Sequence, residues 1–230
     1  ARTELYYQRG ELHRQHGDWI LALEDFNLAE KQNPRLPQIN FARGKTLFAA
    51  GKLNKAKTAL DKFISVAPNH AEALAMRART LANLEQPAAA AADFTRAING
   101  SANPDPDYFL QRAAAQLALG KLHEALAGLD DGIKRIGAVI SLQLCAIEME
   151  IRAKNYDGAL ARLHTVAAQS PRKEGWLARR GEILEKAGRN AEAHTAYSQA
   201  LSALAALPLN RRNVPAIVDL EARIHSALQR

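Results

Sequence analysis

His13 and His16 stand three residues apart, a spacing that puts two imidazoles on one side of a helix, as two ligands of a metal ion would need. No further ligand joins them at such spacing, and His70, His123, His164, His194 and His225 have no partner of that kind. His13 reads instead as a ring packed between helices and His16 as a residue before a turn. Glu148 and Glu150 are two apart, so on a helix their carboxylates diverge rather than forming an acid–base pair. Asp130-Asp131 fall near a helix end, and Ser101, Ser141, Ser170 and Ser202 lie mostly at helix ends, where capping accounts for them. Cys145 is the only cysteine, which excludes a disulfide within one chain and a cysteine-based zinc site. Glycine-rich phosphate loops, nucleophile elbows and zincin motifs are absent. The expectation is a protein that is no enzyme, with no catalytic residue, no metal site and no cofactor.

The elements that carry these residues are written in a repeat. Gly10, Gly17, Ala22 and Pro34 are answered 34 residues later by Gly44, Gly51, Ala56 and Pro68. Six copies follow in this register, at 3–36, 37–70, 71–104, 106–139, 140–173 and 174–207. Each begins with a helix carrying a small residue at its crossing point: Gly10, Gly44, Ala78, Ala113 and Gly181. Ile147 in the fifth copy is the exception and predicts a looser or re-angled pair. The turn residue is Gly17, Gly51, Gly120 or Gly188 in four copies, suited to positive φ. Glu85 and Lys154 replace it in the third and fifth, which predicts turns of another build there.

The second helix has alanine at 22, 56, 90, 125, 159 and 193 in every copy. A bulky residue follows four later, at Phe26, Leu60, Phe94, Leu129, Leu163 and Tyr197. A third position comes three further on, at Ala29, Phe63, Ala97, Gly132, Val166 and Ala200. Steps of four and three keep these on one helical face. The register slips by one residue at Asn103-Pro104-Asp105-Pro106-Asp107, where Asp105 reads as an N-cap and Pro106 as the first helical residue. A last helix is expected over about 215–228, with Ile217, Leu220, Ile224 and Leu228 on one side to cap the array.

On these residues the chain resembles the tetratricopeptide repeat family almost end to end. The resemblance implies an all-α fold, a right-handed superhelical α-solenoid of antiparallel helix pairs forming a single array over residues 1–230, with thirteen or so helices and no strand. It also implies a scaffold that binds a protein or peptide in a concave groove lined by the first helices. Carried over by register, the partner-binding residues are Tyr7, Arg14, Phe41, Lys45, Phe48, Arg79 and Asn83. Members of the family that clamp acidic C-terminal tails need a lysine and asparagines where this chain has Tyr7, Glu11 and Phe41, so that specialised function is not expected.

The net charge of +7 is concentrated. Residues 36–70 hold Arg43, Lys45, Lys52, Lys55, Lys57 and Lys62 against Asp61 alone. A nucleic-acid binder would spread such residues along the array, so only weak, salt-sensitive association and no specific nucleic acid is expected. Two alternatives to a peptide-binding scaffold remain open: self-assembly into a homo-oligomer, and an accessory subunit of a bacterial envelope complex. No run is apolar enough for a membrane span. Abundant alanine and an excess of arginine over lysine point to a bacterial chain. The start at Ala1 without methionine is that of an excised piece or of a processed form, and the Glu4–Arg14 stretch points towards an exported, periplasmic protein with its leader removed.

Overall fold

Helix ends fall where side chains can satisfy or interrupt the backbone. Asp105 Oδ1 accepts a hydrogen bond from the Asp107 amide at 2.9 Å, and Pro106 opens the helix behind it. Asn155 Oδ1 accepts from the Gly158 amide at 3.3 Å, and His70 Nδ1 from the Ala73 amide at 3.2 Å. Pro34, Pro68 and Pro171 lie just beyond helices ending at Gln32, Val66 and Ala168, as a residue lacking an amide proton should. The computed structural model describes residues 2–229, and among them it has fourteen α-helices and no strand. The fold is an all-α solenoid of helix pairs.

Two compact units divide the chain, residues 1–128 and 129–230. The first holds α1 (Arg2–His16), α2 (Trp19–Gln32), α3 (Gln38–Ala49), α4 (Leu53–Val66), α5 (Ala71–Asn83), α6 (Pro87–Asn99), α7 (Pro106–Ala118) and the start of α8 (Leu122–Ile136). The second holds the rest of α8, α9 (Ile140–Arg152), α10 (Tyr156–Ala168), α11 (Glu174–Lys186), α12 (Asn190–Ala205), the single turn α13 (Leu209–Arg212) and α14 (Pro215–Leu228). The division falls inside α8, and the Asn103–Asp107 link lies within the first unit. In the second, Ile217, Leu220, Ile224 and Leu228 of α14 pack with α12 residues Tyr197, Ala200 and Leu204.

Packing explains the small residues. Ala22, Ala56, Ala90, Ala125, Ala159 and Ala193 are all at most 3% exposed. The large residues four later are buried too, Phe26, Leu60 and Leu129 completely. A Cβ at Gly10 would lie 2.7 Å from the Phe26 ring, one at Gly44 2.6 Å from Leu60, and one at Gly181 2.5 Å from Tyr197. Glycine at these crossings therefore makes room for the large residue of its own pair. The fifth pair solves the crossing with buried Ile147 against Leu163, and α9–α10 is the least extensive of the within-repeat pairings described.

The turns correct one expectation. Gly17, Gly51, Gly120 and Gly188 take φ between +71° and +86°, but Glu85 and Lys154 adopt the same conformation at +58° and +57°. The bonds are the same as well. Lys52 N donates to Leu47 O at 2.8 Å after Gly51, and Gln86 N donates to Leu81 O at 2.9 Å after Glu85. Closing the helix end this way requires the left-handed conformation whatever the residue. A side chain there costs about 1–2 kcal/mol, which the packed helix pair imposes.

A further set of bonds ties the pairs together. Arg9 of α1 forks onto Asp25 of α2 with Nε–Oδ2 at 2.7 Å, and Arg77 of α5 onto Asp93 of α6 with Nε–Oδ2 at 2.6 Å. Arg112 at the same repeat position donates to the Gly128 carbonyl at 2.9 Å. Arg77 also reaches back to Asp61 of the preceding repeat at 2.8 Å. Arg43, facing Ala59, turns to Glu30 at 2.7 Å and to Asn27. Burial acts to raise the Asp61 carboxyl, but hydrogen bonds from Lys57 and Arg77 prevail and hold it below its usual value.

Candidate protein-binding faces

In the first unit, side chains from successive first helices meet across the array. Lys45 of α3 lies 4.0 Å from Glu72 of α5, and Arg79 of α5 bonds Asp107 of α7 at 2.8 Å. Arg79 Nε also donates to Gln111 Oε1 at 3.2 Å. These pairs put the carried-over positions of α3, α5 and α7 on one shared face. The face is chemically mixed, since Lys45 Nζ stands 4.6 Å above the Phe41 ring centroid, a cation–π contact.

The seven residues singled out from sequence differ in what they offer. Tyr7 is half-buried and tilts against Phe26, ring centroids 6.0 Å apart. Burial, then the Glu11 and Glu4 carboxylates, push its phenol above the ordinary value. Arg14 is held within its own helix by Glu11 at 2.8 Å. Phe41 is only 9% exposed, stacked on Phe63 at 5.1 Å and tilted against His70 at 5.2 Å, so it forms the wall beneath Lys45 rather than a free anchor. Phe48 is half-buried beside Leu47, Ala56 and Ala59. Asn83 is exposed, its amide donating to the Arg79 carbonyl at 2.9 Å.

The remaining chemistry-bearing residues fall elsewhere. Among the described residues no group of three or more histidine, cysteine or carboxylate side chains is arranged to hold a metal ion. His13 lies 3.7 Å from Asp18 and 3.8 Å from Asp25. Cys145 is half-buried, and burial first of all pushes its thiol above the usual value, away from the thiolate that reactivity needs. The basic second repeat is partly neutralised: Arg43 pairs with Glu30 and Lys57 with Asp61, while Lys52, Lys55 and Lys62 are exposed. No described helix is long and apolar enough to cross a membrane.

In the second unit the carried-over face includes Glu148 of α9 and Glu182 of α11, both bonded by Arg179. Sequence reasoning passed over Arg180, Lys173 and Trp176, which line a cleft of about 650 Å³ between α10 and α11. The signal was present as a register: Arg180 sits at the position of Arg9 and Arg77, with Ala196 where those have Asp25 and Asp93.

Comparison with known proteins agrees with this architecture. The C-terminal part of a TPR repeat-containing protein from Cytophaga hutchinsonii superposes with a TM-score of 0.73 at 12% identity, covering 96% of this chain and 93% of that one. PilF of Pseudomonas aeruginosa gives 0.63 at 14% identity over 96% and 97%. YrrB, described as a TPR protein with an unusual peptide-binding site, gives 0.60 at 16% identity over 77% and 91%. No curated protein matches the sequence. Residues 41–106 match the tetratricopeptide repeat, and residues 83–216, more than half of the chain, match the tetratricopeptide repeat-like domain; the chain belongs to the tetratricopeptide repeat family.

Proposed function

We propose that this protein is a non-catalytic interaction scaffold that binds an extended segment of a partner protein along the face shared by α1, α3, α5 and α7. The observation that carries the reading is the Lys45–Glu72 spacing of 4.0 Å beside the Phe41 ring. Lys45 is held by a wall and only loosely by a carboxylate, so an acidic group of a partner can replace Glu72 at little cost. Arg79 and its Asp107 extend the same alternation one repeat further. Tyr7 and Phe48 supply half-buried aromatic surface on either side, and aromatic surface of this kind carries most of the energy of such interfaces. Proteins of this family generally bind other proteins, and YrrB is a relative in fold with a peptide-binding site. Nucleic acid is a weak competitor here, limited to salt-sensitive contact with Lys52, Lys55 and Lys62.

The test begins with a partner captured from the source organism. Phe48→Ala is expected to weaken its binding by about tenfold or more, while Lys45→Ala and Arg79→Ala weaken it less and reduce its salt dependence. Silence at all three, with binding abolished by Leu144→Ala in the second unit, would move the site out of the first unit.

A further inference from the structure

Of the arginines at this repeat position, the one in α11 has neither of the carboxylates that hold Arg77. At α5–α6, Arg77 is held by Asp93 of its own pair and by Asp61 of the preceding second helix. Arg180 of α11 occupies the position equivalent to Arg77, but the equivalents of Asp93 and Asp61 are Ala196 and His164. Its side chain is exposed, and among the described residues it has no hydrogen bond or ion pair. Glu192, whose charge it feels, is already held by both the Nε and an Nη of the Arg189 guanidinium at 2.7 Å.

Arg180 is not simply pointing into open solvent. It lines the cleft of about 650 Å³ formed by α10, the start of α11 and the turn before α12, a volume in the range of built ligand sites. Lys173, the residue preceding α11, adds a second cation. The only carboxylate in the lining, Asp157, is bound by Arg189 at 2.9 Å, which leaves the cleft with an excess of positive charge. Besides His164, its remaining walls are mostly apolar, chiefly Leu160 and Leu163 of α10 and Trp176 and Leu177 of α11. Trp176 is half-buried against the Ile147, Ile151 and Leu163 cluster, so its ring is fixed in place before anything binds.

We propose that this cleft is a second protein-binding site, which takes an acidic peptide segment. A glutamate or aspartate side chain of the segment takes the place at Arg180 that Asp61 takes at Arg77, on the His164 side of the cleft, with Lys173 on the same wall. A neighbouring apolar side chain lies against Trp176 and Leu177. The charge calls for an anion, and the hydrocarbon walls select among anions. A nucleotide would bring a base and a ribose whose polar edges Leu160, Leu163 and Leu177 cannot satisfy, whereas an apolar side chain next to a carboxylate satisfies both halves. The site is independent of the face proposed above. At 100° per residue, Lys173, Trp176, Leu177 and Arg180 lie on the side of α11 opposite to Gly175, Ala178, Glu182 and Lys186, which the register assigns to the groove.

The experiment is selection of a phage-displayed random dodecapeptide library on the full chain, with counter-selection on Arg180→Gln. Both chains should give the same circular dichroism and thermal melt, because Arg180 is exposed and holds no partner. The expected result is a family of peptides pairing an acidic with an apolar residue. A synthetic copy should bind the parent chain at least about tenfold more tightly than Arg180→Gln, as losing one desolvated charge pair implies. Trp176→Ala should weaken it comparably, and Lys45→Ala and Arg79→Ala should leave it unchanged. Three results would overturn the proposal. The first is a selection that returns no peptide dependent on Arg180. The second is equal binding by a peptide whose acidic residue is replaced by glutamine. The third is complete displacement of the peptide by inorganic phosphate or a mononucleotide at the same concentration, which would make the cleft a small-anion site.

Discussion

Arg77 and Arg180 hold the same position in two repeats, one in each unit, and do different things. Arg77 is three-quarters or more withdrawn from solvent and locks two second helices onto its own helix through Asp93 and Asp61. Arg180 is exposed, faces Ala196 and His164, and lines an open cleft. A repeat position therefore specifies where a side chain is, while the residue opposite decides whether it is structural or available. The fifth repeat makes the same point from the other side. There Ala146 stands at the basic position and Arg162 at the acidic one, and Arg162 finds Asp130 at 2.8 Å and Glu150 at 3.2 Å. The charge is reversed and the tie is kept.

The crossing positions give the largest expected contrast. Gly44→Ile should cost about 3 kcal/mol, because its Cβ alone would sit 2.6 Å from Leu60 and a packed core cannot absorb the branch. The fifth pair tolerates isoleucine at the equivalent Ile147 because the helices there meet less extensively. Urea unfolding of the variant tests this. An unchanged midpoint would mean that Gly44 is not at a close crossing.

Next in size is the arginine comparison itself. Arg77→Met should lose about 2–3 kcal/mol, less than for a fully buried pair because Arg96 remains 3.4 Å from the stranded Asp93. Arg180→Met should change stability by no more than about 0.5 kcal/mol. Equal losses in urea unfolding would erase the distinction drawn between the two positions.

The smallest effect concerns the turns. Glu85→Gly and Lys154→Gly should each stabilise the chain by about 0.5–1 kcal/mol, since both residues are held at positive φ. The more flexible unfolded chain offsets part of the gain. The same replacement cannot help at Gly51, where φ of +71° is already served by glycine. A drop in melting temperature for either variant would show that the Glu85 or Lys154 side chain contributes more than its strain.

The period, the alanine positions, the helix ends at Pro34, Pro68 and Asp105, and the last helix were all legible in the sequence. Each rests on contacts within a repeat or with its immediate neighbour, at fixed offsets, and such contacts write themselves into the chain as a period. The turn at Glu85 was misread because a residue's intrinsic preference was weighed without the helix packing that overrides it. Phe41 was legible as a residue of that helix face, but whether it served the groove or the packing was not, because its stacking on Phe63 and His70 depends on how closely α3, α4 and α5 meet. The same holds for charge. Composition showed which segments are basic, but only the tertiary structure decided that Arg79 is held by Asp107 and that Arg180, among the described residues, makes no hydrogen bond or ion pair. Pairing energy depends on distances of a few ångströms between residues far apart in the chain, and a one-dimensional pattern does not contain those distances.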